Sequence, residues 1–166
     1  GYRFTEQNNK TMATQSDIPI GGYLQAPGGL YASMNEMLNY AKCLLNKGEF
    51  NGKHILQPES VAELFAPQIE TPYGEGEQPH YALGWSIEQP SDAMPHTVIH
   101  HGGGMSTSQS FLLWVPDLNL GIVAAENAST GIAPLVVRAT VAELMGKTAQ
   151  HAIEDLRIGA ALDEIE

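Results

Sequence analysis

Residues 97–127, TVIHHGGGMSTSQSFLLWVPDLNLGIVAAEN, decide the fold. They hold three apolar runs of strand length, TVIHH, SFLLWVP and LGIVAAE, separated by small and turn-forming residues. Pro116-Asp117-Leu118-Asn119 reads as a tight turn between the second and third runs. Strands joined by connections this short form an antiparallel meander. Just upstream, in YALGWSIEQ, Tyr81, Leu83, Trp85 and Ile87 alternate with smaller or polar residues. That alternation predicts a further strand over Tyr81–Glu88, beside strands centred on Val98–His101, Phe111–Val115 and Gly121–Ala125. The expected class is α+β: one antiparallel sheet of about four strands, packed by helices.

The clearest helix lies outward from this sheet, in SMNEMLNYAKCLLNKG. Ser33 caps its first turn, and Glu36 three residues on completes a capping box. Met34, Met37, Leu38, Ala41, Leu44 and Leu45 recur at three- and four-residue steps, so one face is buried. Gly48 ends the helix. A shorter helix begins at QPESVAELF, with Pro58 in its first turn. Residues 67–80 read as loop, and residues 1–32 as irregular chain with one or two short strands. After NASTG a helix is predicted over 131–145. Leu135, Val136, Ala139, Ala142 and Met145 form its apolar stripe and cover the last strands. Residues 147–166 read as a tail with weak acidic helical character. The whole, 1–166, reads as a single partial domain.

Composition bounds the function. Eight basic against nineteen acidic side chains give a net charge of −11, spread along the chain. Nucleic acids and anionic membranes both require clustered Lys and Arg, so neither is expected as a partner. The one cysteine, Cys43, excludes an internal disulfide and falls on the apolar face of its helix, which predicts a buried structural thiol. No apolar run approaches the ~18 residues of a membrane span. The chain opens at GYRFTE rather than at Met, which suggests the interior of a longer polypeptide.

The run HHGGG admits several readings. His100 and His101 are adjacent, so on a strand they point to opposite faces and cannot chelate one ion together. With no carboxylate or cysteine at ligand spacing, neither metal nor cofactor is expected. A phosphate-cradling loop would end at a helix N-terminus, whereas Gly102, Gly103 and Gly104 lead into another strand. A glycine-rich turn or bulge with incidental histidines is the bland alternative. The remaining reading is a cleft wall. Glycines let a substrate approach the backbone, their N–H groups can face a developing oxyanion, and a histidine beside them supplies a donor or a charge.

HGGGMSTSQSFLLWVPDLNLGIVAAEN resembles the C-terminal sheet of the class C β-lactamase and penicillin-binding-protein-like serine hydrolases. That family carries Lys-Thr-Gly or His-x-Gly on one strand, ahead of a Pro-Asp/Glu turn, a strand such as GIV and an Asn. APGGLYASMNEMLNYAKCLLN, ILQPESVAELFAPQ and YALGWSI are similar to other family segments in the same order, so the resemblance covers roughly residues 20–145. It implies that His101 is the basic residue of the cleft. It further implies that Gly102, Gly103 and Gly104 form the oxyanion and substrate-binding edge, with Asn127 beside them. The family's chemistry needs Ser-x-x-Lys, in which the serine attacks an acyl carbon. The residues three before each lysine are Gln7, Asn39, Leu44, Phe50 and Leu144, and none is serine. Tyr31 to Ser33 formally matches the family's Tyr-x-Ser, but Ser33 is already the helix cap.

Within the matched region Gly102 replaces the usual hydroxyl-bearing residue, and Thr107-Ser108 stand where Gly-Phe is usual. Both departures weaken a penicillin-specific reading and leave esterase, amidase or D-amino-acid peptidase chemistry open. The chain is therefore expected to be the C-terminal portion of a serine hydrolase, inactive by itself. Its expected partners are the N-terminal half of the same protein, further copies of itself, and a small ester, amide or β-lactam. The family makes a periplasmic or secreted location plausible. A non-catalytic binding or regulatory module that keeps this fold is the alternative, and a structural fragment the third.

Overall fold

The computed structural model describes residues 2–7, 10–15, 28–72, 79–91, 94–128 and 130–147. The expected C-terminal tail and the IPIGGYL island lie outside them. In chain order the elements are β1 (Tyr2–Gln7), β2 (Lys10–Gln15), α1 (Met34–Leu45), β3 (Glu49–Phe50), β4 (Lys53–His54), α2 (Pro58–Leu64), β5 (Ile69–Glu70), β6 (His80–Tyr81), β7 (Ser86–Glu88), β8 (Val98–Met105), β9 (Ser108–Val115), β10 (Leu120–Glu126) and α3 (Ile132–Leu144). Strands β1 and β2 form an antiparallel hairpin, as do the short β3 and β4. The main sheet is antiparallel and runs β10-β9-β8-β7-β6-β5.

This is the α+β architecture expected, with six strands among the described residues rather than about four. The added strands come from two corrections. The single strand read over Tyr81–Glu88 is two, β6 and β7, reversed by a tight turn in which the Ala82 N–H donates to the Trp85 carbonyl at 2.7 Å. Gly84 takes φ +86°, a conformation glycine adopts without strain. Leu83, counted as inward by alternation, is consequently 52% exposed. Segment 67–80, read as loop, also contributes β5, whose Ile69 and Glu70 pair with Tyr81 and His80.

Alternation along β7, β8 and β9 splits the core between the two faces of the sheet. Ile87, Ile99, Leu112 and Trp114 point to one face, where they pack with Ala41 and Leu44 of α1 and Val61 of α2. Val98, Phe111, Leu113 and Val115 point to the other, against Ala133, Val137 and Val141 of α3. Trp85 anchors the first layer by packing edge-on to Trp114, with ring centroids 4.5 Å apart. A tryptophan pair so buried contributes several kcal/mol through area removed from water.

The buried stripe of α3 agrees with the expected one only at its end, where Ala142 is buried and Met145 packs on the core. Ala133, Val137 and Val141, at four-residue steps, face the sheet, while Val136 is 52% exposed. The helix is apolar nearly all round, so its sequence does not single out one face.

Helix α1 follows its sequence signals closely. The Glu36 N–H donates to Ser33 Oγ at 3.3 Å, and the Ser33 N–H donates to Glu36 Oε2 at 2.6 Å. That Ser33 N–H, with the Ser33 hydroxyl donating to the same Oε2 at 2.8 Å, also holds the exposed Glu36 carboxyl below its usual range. At the other end Lys47 turns left-handed, and the N–H groups of Lys47 and Gly48 donate to the carbonyls of Leu44 and Cys43. Gly48 is required there: its φ is +91°, and a Cβ would lie 2.3 Å from the Leu56 carbonyl oxygen. Cys43 is buried and free.

Candidate active site

Strand β8 carries the histidines and glycines, and its pairing is uneven. Toward β9 the ladder runs its length, from Ile99 opposite Trp114 to Met105 opposite Ser108. Toward β7 it stops early, with Ser86 opposite His100, Ile87 opposite Ile99 and Glu88 opposite Val98. From His101 to Met105 no strand among the described residues pairs with that side. Alternate residues there present N–H and C=O groups to an open edge.

The three glycines thus lie within a strand rather than in a turn, and the reversal falls on Ser106 and Thr107. His101, Gly102, Gly103 and Gly104 are all exposed. Bare backbone is most demanding at Gly103, where a Cβ would come within 2.8 Å of Ser110 Oγ. Asn127 directly follows β10 and is exposed. Its predecessor Glu126 pairs with Gln109, which pairs with Gly104, so Asn127 lies at the same end of the sheet as the glycines. Two strand spacings, roughly 10 Å, separate that position from β8. The structure therefore brings His101 and the glycines together on one strand and leaves Asn127 two strands away.

His100 and His101 point to opposite faces, as neighbours on a strand must. His101 has two aromatic neighbours. Tyr81 Oη lies 3.0 Å from His101 Nε2, and Trp85 stands edge-on to the imidazole with centroids 6.3 Å apart. The turn between β6 and β7 places both rings there.

On the other face His100 stacks on Phe111 at 5.3 Å between centroids and enters a charged cluster beneath the strand. Arg138 of α3 donates to both carboxylate oxygens of Glu88, at 3.2 and 2.5 Å, and lies over the Phe111 ring. His100 Nε2 sits 2.7 Å from Glu88 Oε1, close in distance but poorly aligned for a hydrogen bond. Burial works to raise the Glu88 carboxyl, but the close imidazole of His100 and the hydrogen bonds and charge of Arg138 outweigh it, so the group titrates below its usual range.

Sequence reasoning missed Tyr81, Glu88 and Arg138. The signal for the last two was one Arg in the middle of an apolar helix whose other charged residue, Glu143, lies in its last turn, and one Glu on a buried strand, each needing a partner.

Among the described residues, no three His, Cys, Asp or Glu side chains gather as a metal site would need, and no helix is long and apolar enough to cross a membrane. A groove of about 470 Å³ opens between α1, α2 and the end of β9, lined by Leu44, Val61, Phe65 and Trp114. It lies on the α1 side of the sheet.

Comparison with known proteins places this geometry. The sequence profile of the Beta-lactamase family matches residues 2–147. Among solved structures, the chain is similar to the octameric penicillin-binding protein homologue from Pyrococcus abyssi, with a TM-score of 0.69 and 16% identity. The likeness covers 90% of this chain and 31% of that one, so the chain spans about a third of that protein's length. At that identity the likeness concerns the fold. No curated protein matches the chain in sequence.

Proposed function

The chain belongs to the beta-lactamase family of serine hydrolases, and from that premise we propose that it is the C-terminal portion of an acyl-transfer enzyme, supplying one wall of the catalytic cleft. The observation that carries this reading is the open edge of β8, where exposed glycines follow an exposed imidazole. An ester, amide or β-lactam carbonyl can approach that edge without meeting side chains.

The chemistry divides between this chain and sequence outside its 166 residues, which contain no Ser-x-x-Lys. A serine hydroxyl from that other part attacks the acyl carbon, and its proton passes to the lysine one helical turn away. The carbonyl oxygen becomes an oxyanion and accepts N–H groups from the glycine edge, Gly104 among them. The leaving alcohol or amine departs with a proton, and water then releases the acid from the acyl-serine. His101 orients the substrate or the proton network beside that oxyanion, and Asn127 lines the same end of the sheet.

The test uses the polypeptide extended N-terminally to include the nucleophile, with an ester substrate and a fluorophosphonate probe. His101→Ala should lower kcat/KM by ~10²-fold, equivalent to about 2.7 kcal/mol of transition-state stabilisation. Covalent labelling of the 166-residue chain alone would overturn the division of labour. Full activity in His101→Ala would remove His101 from the cleft. An extended polypeptide that still lacks Ser-x-x-Lys would favour the binding-module alternative.

A further inference from the structure

We propose that Tyr81 is a positioning residue that fixes His101 in one orientation and one tautomer, so that the imidazole meets its substrate as a hydrogen-bond donor through Nδ1. The inference rests on the cleft-wall reading of His101 for its functional meaning, but its physical content stands on this chain alone.

The contact itself is short and specific: Tyr81 Oη lies 3.0 Å from His101 Nε2. A neutral imidazole has one N–H and one bare nitrogen, and the hydrogen bond made by one nitrogen decides which of them carries the proton. A phenol is a better donor than a neutral imidazole N–H. Its oxygen is also the poorer acceptor, because its lone pair is shared with the ring. The favoured arrangement therefore has the Tyr81 hydroxyl donating and Nε2 accepting, which puts the imidazole proton on Nδ1. Free histidine prefers the opposite tautomer, so the contact changes the chemistry the ring presents. With Nε2 engaged, Nδ1–H is the group left for a substrate oxygen, a carbonyl or a carboxylate.

The surroundings hold the ring as well as protonate it. Trp85 meets the imidazole edge-on at 87° between planes, and Tyr81 meets it at 61° with centroids 6.2 Å apart. Both aromatic residues are fixed by the tight turn that joins β6 to β7, and Trp85 is itself buried against Trp114. The imidazole is thus confined on the protein side while remaining open to solvent. Confinement of this kind lowers the entropy lost when a substrate is oriented.

Nitrogen-15 spectra of the imidazoles in the 166-residue chain, recorded at alkaline pH, report the tautomer directly. In the wild type, His101 should show a bare nitrogen at Nε2 and a protonated one at Nδ1 in its major form, with the tautomer ratio moved roughly tenfold toward Nδ1–H relative to free histidine, about one net hydrogen bond's worth. Tyr81→Phe removes one hydroxyl and keeps the ring packing, so the amide spectrum should stay folded while the ratio reverses toward Nε2–H. A wild-type ring protonated at Nε2, or a ratio unchanged in Tyr81→Phe, overturns the proposal. Should Tyr81→Phe lose its folded spectrum, the wild-type tautomer still decides. Neither readout involves turnover, so loss of the proposed enzymatic role and loss of the tautomer lock are separate results.

Discussion

Replacing Arg138 with Leu tests the cluster beneath β8. Side-chain exposure is 12% for Arg138 and 8% for Glu88, so solvent screens the pair little. The guanidinium makes two hydrogen bonds to the carboxylate, each worth about 1.5–3 kcal/mol when charged groups are involved. Removing it leaves Glu88 buried with only the misaligned His100 contact. That puts the loss at about 3–5 kcal/mol at neutral pH, the range for breaking a buried pair from one side. For a chain of this length the midpoint of thermal unfolding should fall by roughly 10 °C.

The dependence on pH has a definite sign. In the wild type the Glu88 carboxyl titrates below its ordinary value. Its contribution is therefore present above the unfolded-state value and lost as pH falls through the folded one. In Arg138→Leu burial is opposed by His100 alone, so the folded carboxyl titrates higher than in the wild type and its penalty is relieved on acidification. The stability gap should be wide at neutral pH and should narrow below about pH 4. Urea unfolding followed by tryptophan fluorescence at several pH values measures it. A neutral-pH gap under ~1 kcal/mol, or one that widens in acid, would refute the reasoning. Changing Glu88 and Arg138 together to Met should recover most of the loss.

Gly48→Ala should destabilise the chain by more than ~2 kcal/mol, since it combines a left-handed backbone with contact on the Leu56 carbonyl, which cannot rotate away. Calorimetry checks it, and a change under ~0.5 kcal/mol would mean that the α1–β3 corner relaxes freely. Light scattering should find an oligomer. Ile132, Val136 and Leu144 leave apolar surface on the outward side of α3, and a monodisperse monomer with cooperative unfolding would count against self-association.

Local signals carried most of the fold into the sequence. The capping box of α1, the Pro116–Asn119 turn and the apolar run through Phe111–Val115 each depend on near neighbours, and each appears as read. The errors arise where a local pattern had more than one tertiary solution. Tyr81, Leu83, Trp85 and Ile87 alternate, yet Gly84 permits a reversal that alternation does not register. In α3, small apolar residues surround the axis, so the sheet rather than the sequence selects Ala133, Val137 and Val141. At the site, the opposed directions of His100 and His101 were legible because a strand forces them. Tyr81 was not, because its contact with His101 spans twenty residues and exists only through the missed reversal.

The uneven pairing of β8 also has a signature in time. Along residues 101–105, alternate amides donate toward β9 and are tied into the ladder, while those between them face the open side. Exchange with deuterated solvent should therefore run slow, fast, slow at a two-residue period within a single strand. A substrate or inhibitor laid along that edge would slow only the fast members and leave the others as they were. The strand can thus report the side from which it is approached, residue by residue, without any probe attached to it.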